Sequence, residues 1–173
     1  MSLTFSKPPV VEFFSNKVGL DYPLSSHFTF GALTKTENRK LMDKNREEGK
    51  KYLSTLSKFC TTVLEPIWDL MGPTTITSCF RCVALNSAVG GAKNSQHTVA
   101  EAADTQYFGV TLSQAFNIIA FSSIPYSQCI LEFGQWIHVG MIDETKYPGK
   151  RGQKLIATRQ NGKVIYTLIT KPI

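Results

Sequence analysis

Asn161-Gly162 stands between two β-rich runs, residues 154–159 and 163–169. This pair accepts positive φ at both central positions of a two-residue turn, so it is the strongest short-range hairpin signal in the chain. A hairpin needs a sheet to join, and two further runs supply one. Residues 128–133 and 136–142 are apolar and β-branched or aromatic, and they are separated only by Gly134-Gln135. The last third of the chain therefore reads as consecutive antiparallel strands.

Upstream the period changes. Tyr52, Leu53, Leu56, Phe59, Cys60, Val63 and Leu64 recur at one-three-four spacing, with Lys50, Lys51, Ser54, Ser57 and Lys58 on the other face. That is an amphipathic helix. Pro66 is expected to end or kink it, with a short second segment carrying Ile67 and Trp68 as far as Gly72-Pro73. Residues 74–78 read as a short strand. Residues 83–89 read as a turn or two of helix stopped by Gly90-Gly91, and residues 101–104 lead into another strand. Thr111 is an N-cap for a helix over 112–121, whose Leu112, Ala115, Phe116 and Ile119 share a face. Helices first, a mixed middle and strands last give an α+β class: an antiparallel sheet with helices packed on one face.

Residues 1–30, rich in Pro and Phe and without a period, form an irregular N-terminal arm expected to lay its aromatics on the domain or a partner; 31–173 form one domain. A chain of 173 residues is long enough for a proper core. The net charge of +6 suits acidic partners such as nucleic acid, an anionic membrane or a cell-wall polymer. The basic residues are scattered, apart from Lys50-Lys51 and Lys150-Arg151, so no nucleic-acid partner is expected. The first residues lack a cationic segment followed by an apolar run, so no secretory signal is expected. No stretch approaches the roughly 18 apolar residues of a membrane helix. Cys79 and Cys82 form a lone C-x-x-C, which reads as two cysteines lining a buried turn.

The chemistry concentrates between Ser78 and Asp104, and again around His138. His97 and Asp104 stand in a His-x6-Asp arrangement, one in a loop and one on the following strand, a spacing that lets both converge. His138 lies mid-strand between Ile137 and Val139, where a polar side chain needs a partner. A hydrolytic zinc site takes three nitrogen or carboxylate ligands and leaves one position open for water, whose pKa drops to roughly 7. By spacing alone, His138 reads more readily as a satisfied strand histidine than as a ligand. His27 stands alone and reads as a surface or capping residue.

Residues 76–81, Leu85-Asn86, Val89-Gly90-Gly91, residues 94–97, Glu101-Ala102-Ala103-Asp104 and Trp136-Ile137-His138-Val139 together resemble the zinc D-Ala-D-Ala carboxypeptidase family. Its fold is shared with the hedgehog signalling domain. The resemblance runs from about Phe28 to the end and is nearest to single-domain bacteriophage members. It implies a hedgehog/DD-peptidase-like fold and a Zn2+ cofactor held by His97, Asp104 and His138. It also implies that Arg81 holds the substrate's carboxylate or carbonyl, while Ser95 and Gln96 orient His97 or substrate. The implied substrate is a peptidoglycan peptide. The setting would be phage lysis, with the protein in the host cytoplasm before release to the cell wall, or the virion.

The sequence departs from that family at four places. Gln135 stands where relatives carry a catalytic Glu, and Gln cannot act as a base. The nearest upstream carboxylate is Glu132, which reads either as the base, across a tight hairpin, or as a strand surface charge. Asp143 and Glu144 are further candidates. Cys79 replaces a turn Gly, Cys82 a small polar residue and Ala100 a Gly. A virion structural protein that keeps the fold, alongside other virion proteins, is the alternative reading.

Overall fold

In the computed structural model, which describes residues 18–173, the elements follow in an order that puts helices first. Helix α1 (Phe30–Thr34), α2 (Met42–Gly49), α3 (Leu53–Phe59) and α4 (Glu65–Met71) precede β1 (Thr74–Ser78) and α5 (Val83–Ala88). Then come β2 (Ala102–Tyr107), α6 (Leu112–Ala120), β3 (Tyr126–Glu132), β4 (Trp136–Met141), β5 (Gln153–Gln160) and β6 (Lys163–Leu168). The six strands make one sheet in the order β1-β2-β4-β3-β5-β6.

The class is α+β, but the sheet is mixed. Every pairing is antiparallel except β3 with β5, which is parallel. The cause is topological. Strand β4 is flanked by β2 on one edge and β3 on the other, so β5 cannot sit beside its predecessor. It leaves from the end where β4 finished, passes β3 and pairs on the outer side, with Gln128 opposite Gln153. Running against β4, it necessarily runs with β3. The final hairpin forms at Asn161 (φ 50) and Gly162 (φ 75), both left-handed.

Pro66 does not break the helical run. A π-turn, Cys60–Leu64, precedes it, and the Glu65 N–H reaches the Cys60 carbonyl. The added residue shifts the register just where Pro66 has no N–H to donate. Thr61 and Thr62 hydroxyls donate to the Ser57 and Lys58 carbonyls one turn back. The capping box at α6 is complete: the Gln114 N–H donates to Thr111 Oγ1 (3.2 Å) and the Thr111 N–H to Gln114 Oε1 (2.9 Å).

The two sheet faces differ. Ile137, Val139 and Cys129 are fully buried on one, where Tyr126 donates from its hydroxyl to the Ala120 carbonyl of α6. The other face carries Asp104 and His138, directly opposite each other on β2 and β4, with Ile130 next on β3. Leu24, Phe28 and Phe30 lie buried in the same core as the helices, so residues 24–30 pack as part of the domain. The rest of the expected arm, residues 1–17, lies outside the described residues.

Candidate metal centre

Three elements converge on one point. The 3-10 turn Gln96–Val99 supplies His97, β2 supplies Asp104 and β4 supplies His138. Pairing between β2 and β4 fixes the last two, since residues directly opposite in an antiparallel ladder point to the same face. His97 arrives from the excursion between β1 and β2. Its N–H donates to Ser95 Oγ (3.3 Å), which caps the 3-10 turn, and its carbonyl accepts from the Arg81 N–H (3.1 Å). The turn ends at Ala100, which is left-handed (φ 60, ψ 30) and fully buried. Left-handed alanine costs roughly 1 kcal/mol or more, and a buried methyl returns about 0.8 kcal/mol. The near balance explains how alanine is tolerated at a left-handed position that would otherwise suit glycine.

His97 Nε2, Asp104 Oδ1 and His138 Nδ1 form a triangle with edges of 3.1, 3.1 and 3.2 Å. Ligand atoms held at about 2.0–2.1 Å by a tetrahedral divalent ion stand roughly 3.3 Å apart. The triangle matches one face of that tetrahedron. Proton placement supports the same fit. His97 Nδ1 lies 2.7 Å from the Cys79 carbonyl, an acceptor, so Nδ1 carries the proton and Nε2 turns a lone pair into the triangle. His97 Nε2 and Asp104 Oδ1 then face each other as two acceptors, which a cation reconciles. The three residues are 2%, 6% and 8% exposed, so the donors are screened from bulk water yet reachable.

Electrostatics keep the donors in ligating form. Burial pushes the His97 pKa down, against the pull of Asp104, so the imidazole stays neutral. Burial alone would raise Asp104. Against that, a proton shared between His97 and His138 would hold the carboxyl well below the ordinary range, so Asp104 is the ionised member of the three.

Arg81 Nη2 donates to Asp104 Oδ2 (3.0 Å), leaving Oδ1 for the triangle. The arginine thus orients a ligand, beside the expectation that it anchors substrate. Its turn is clamped by a residue that sequence reasoning missed. Asn45, fully buried on α2, donates from Nδ2 to the carbonyls of Thr34 (2.9 Å) and Phe80 (3.0 Å), and accepts from the Cys82 N–H (2.6 Å). No local pattern marks it. Its partners lie 11, 35 and 37 positions away.

Cys79 and Cys82 are buried free thiols. Burial holds the Cys79 pKa well above its usual value, and Cys79 acts through its carbonyl. It does not adopt positive φ, so the loss of glycine there costs nothing in backbone strain. Gln96 is not positioned for substrate. It is 6% exposed, and its Nε2 donates to Ser127 Oγ (3.2 Å) and the Met141 carbonyl (3.5 Å). It packs the His97 turn onto β3 and β4. His27 is engaged elsewhere, bonded to Glu65 and stacked on Trp68 at 4.3 Å.

Glu132 lies opposite Trp136, one row along from the Ile130–His138 pair and on the same face as His138. The Trp136 indole N–H donates to Glu132 Oε2 (3.0 Å), leaving Oε1 free. Burial raises the Glu132 pKa; the nearby His138 opposes this and Asp104 adds to it. Gln135 is exposed in the hairpin turn, with its carbonyl accepting from Gln106 Nε2. Glu132 thus places a carboxylate on the His138 face from across the hairpin, while Gln135, three residues before His138, carries none. Asp143 and Glu144 line a different, polar cleft with Glu101 and Lys146, at the other end of β4. Asp143 accepts the N–H groups of Thr145 and Lys146 there.

A buried triangle of two histidines and an aspartate on a mixed α+β sheet, with a carboxylate one row away, is a donor set that could hold a metal ion. The chain belongs to the Peptidase M15 family, whose profile matches residues 26–140. That span includes every residue of the triangle, Arg81 and Glu132. No curated protein matches the chain. Among the described residues no helix is long and apolar enough to cross a membrane.

Proposed function

We propose that this chain is a zinc-dependent peptidase that hydrolyses peptide bonds in bacterial peptidoglycan, in bacteriophage lysis or as a virion-associated enzyme. The observation that carries the reading is the donor triangle of His97, Asp104 and His138 with Glu132 one row away on the same face. A zinc ion held by those three donors would supply Lewis-acid polarisation of the scissile carbonyl and acidify a water.

The chain's own residues do the rest. Arg81 fixes the Asp104 carboxylate, and the Cys79 carbonyl fixes the His97 tautomer. Glu132, held by Trp136 at Oε2, uses Oε1 to take a proton from the attacking water and pass it to the leaving amine. Only the ionised carboxylate accepts that proton. Since burial raises its pKa, activity falls as pH drops through a value above that of an ordinary glutamate.

The test is turnover of purified peptidoglycan by the metal-loaded chain, with and without chelator, beside metal analysis. The expected result is bound zinc and chelator-sensitive cleavage. Glu132→Gln is expected to lose about 10²–10⁴ in rate, to keep its metal and to lack the acid limb of the pH profile. Full activity in that variant removes Glu132 from the mechanism; bound zinc without cleavage by the unaltered chain favours a structural role.

A further inference from the structure

The two edges of the sheet are built differently. Strand β1 forms one edge and β6 the other. β1 carries devices that discourage further pairing: Gly72-Pro73 leads into it, and its register with β2 shifts between Ile76 and Ser78. β6 has none. Its register with β5 is regular from Gln160–Lys163 to Leu155–Leu168, and its one charge, Lys163, stands at the end. Every residue of β6 is exposed, and Val164, Ile165, Tyr166 and Leu168 are large and apolar or aromatic. An edge of this kind is a template for another strand.

The hairpin fixes which backbone groups that edge offers. Gln160 and Lys163 close a two-residue turn, so they form a hydrogen-bonded pair, and such pairs recur at every second position. Ile169 keeps the alternation, its N–H donating to the Lys154 carbonyl (2.8 Å). Val164, Tyr166 and Leu168 therefore turn their N–H and C=O groups away from β5. Among the described residues these groups find no backbone partner.

We propose that β6 pairs antiparallel with β6 of a second copy of this chain, about a two-fold axis through Tyr166. The strand is complementary to itself in that register. Tyr166 lies opposite Tyr166 of the copy and Val164 opposite Leu168 of the copy, each pair exchanging both of its hydrogen bonds. Every outward group is used. Ile165 lies opposite Thr167 on the other face, so side chains gain cross-strand neighbours on both faces. Lys163 meets Ile169, and no like charges are opposed. Sliding the register by two residues sets Leu168 against Gly162 in the turn, or Val164 against Thr170 beyond the strand. An unrelated extended peptide would satisfy the backbone groups alone, whereas self-pairing also matches the side chains. His138, on β4, is three strands in from β6, so the pairing leaves the metal centre unaltered.

The test is sedimentation equilibrium of the full chain over a range of concentrations. The expected result is a reversible rise from the mass of one chain to that of two. Tyr166→Pro removes the central outward N–H and takes no bond from the β5 ladder, so it is expected to weaken association about tenfold or more. Its circular dichroism and metal content should match those of the unaltered chain. Register is read by cross-linking under mild oxidation, which the buried native cysteines escape. Tyr166→Cys is expected to join two chains through a disulfide, and Ile165→Cys, offset from its own copy, is not. A single-chain mass at every concentration overturns the proposal; slow hydrogen exchange at the Val164 and Tyr166 amides would then show that another segment covers the edge. A dimer that Tyr166→Pro leaves at full strength also overturns it, as does one that cross-links through Ile165→Cys and not through Tyr166→Cys.

Discussion

Two members of the triangle are held from outside it, His97 by the Cys79 carbonyl and Asp104 by Arg81, and Cys79 shows how a side chain can be irrelevant where its backbone is not. Its thiol is buried and kept protonated, while its carbonyl receives the His97 Nδ1 proton. A thiol sulfur would ligate only as thiolate, which that burial opposes. Cys79→Ala and Cys82→Ala are therefore expected to bind one metal per chain, as the unaltered protein does, with affinity within a few-fold. Metal analysis after dialysis checks this; a lost or halved stoichiometry would mean that sulfur ligates. Any cost of these changes lies in packing, about 1–2 kcal/mol for a small buried side chain.

At the scale of elements, the site depends on how closely the His97 turn lies on the sheet. Gly140 on β4 makes that approach possible. A Cβ there would stand 2.3 Å from Gln96 Oε1 and 2.6 Å from Ser127 Oγ, both buried. Gly140→Ala must displace the buried Gln96 amide, which packs the Gln96–His97 turn onto β3 and β4, and is expected to loosen His97 relative to the other two members. The expected outcome is a loss of about 1–3 kcal/mol in stability together with weaker metal binding, read by denaturant titration and metal competition. Unchanged metal affinity would show that the turn adjusts without moving His97. The close approach at Gly140 carried no signal in the sequence, whereas Gln96 was given two roles by the resemblance, to orient His97 or substrate, of which its packing of the His97 turn fits the first. What was legible rests on local physics: the Asn161-Gly162 turn, the Thr111 cap, and the order of ligand motifs that the family resemblance supplied. The parallel β3–β5 pairing was not, because it follows from which sheet edge remained free. Pro66 misled for a related reason. A π-turn absorbs the missing N–H and leaves no mark in the apolar periodicity. Ala100 and Phe133, both left-handed without being glycine, carry no turn signature either.

Over the whole molecule, the donor triangle joins three separate parts of the chain: the excursion after β1, the second strand and the fourth. Without a cation, two of its acceptors face each other at 3.1 Å in a buried setting, which the fold must tolerate at a cost. With a cation, the same contacts become cross-links between segments 41 positions apart at the widest. Metal binding is therefore stabilisation of the folded state, by about 4 kcal/mol at a thousandfold excess over the dissociation constant. For a domain of this size that raises the thermal midpoint by roughly 10 °C, at about 2–4 °C per kcal/mol. The sign with pH follows from competition. Protons and metal claim the same His97 lone pair, so binding weakens as pH falls into the range, below that of ordinary histidine, where the buried His97 protonates. Scanning calorimetry of the zinc-loaded and chelated chain should show a gap of that order at pH 7.5 that closes towards pH 5. A gap that is absent at pH 7.5, or that grows on acidification, would mean that the metal does not sit among these histidines.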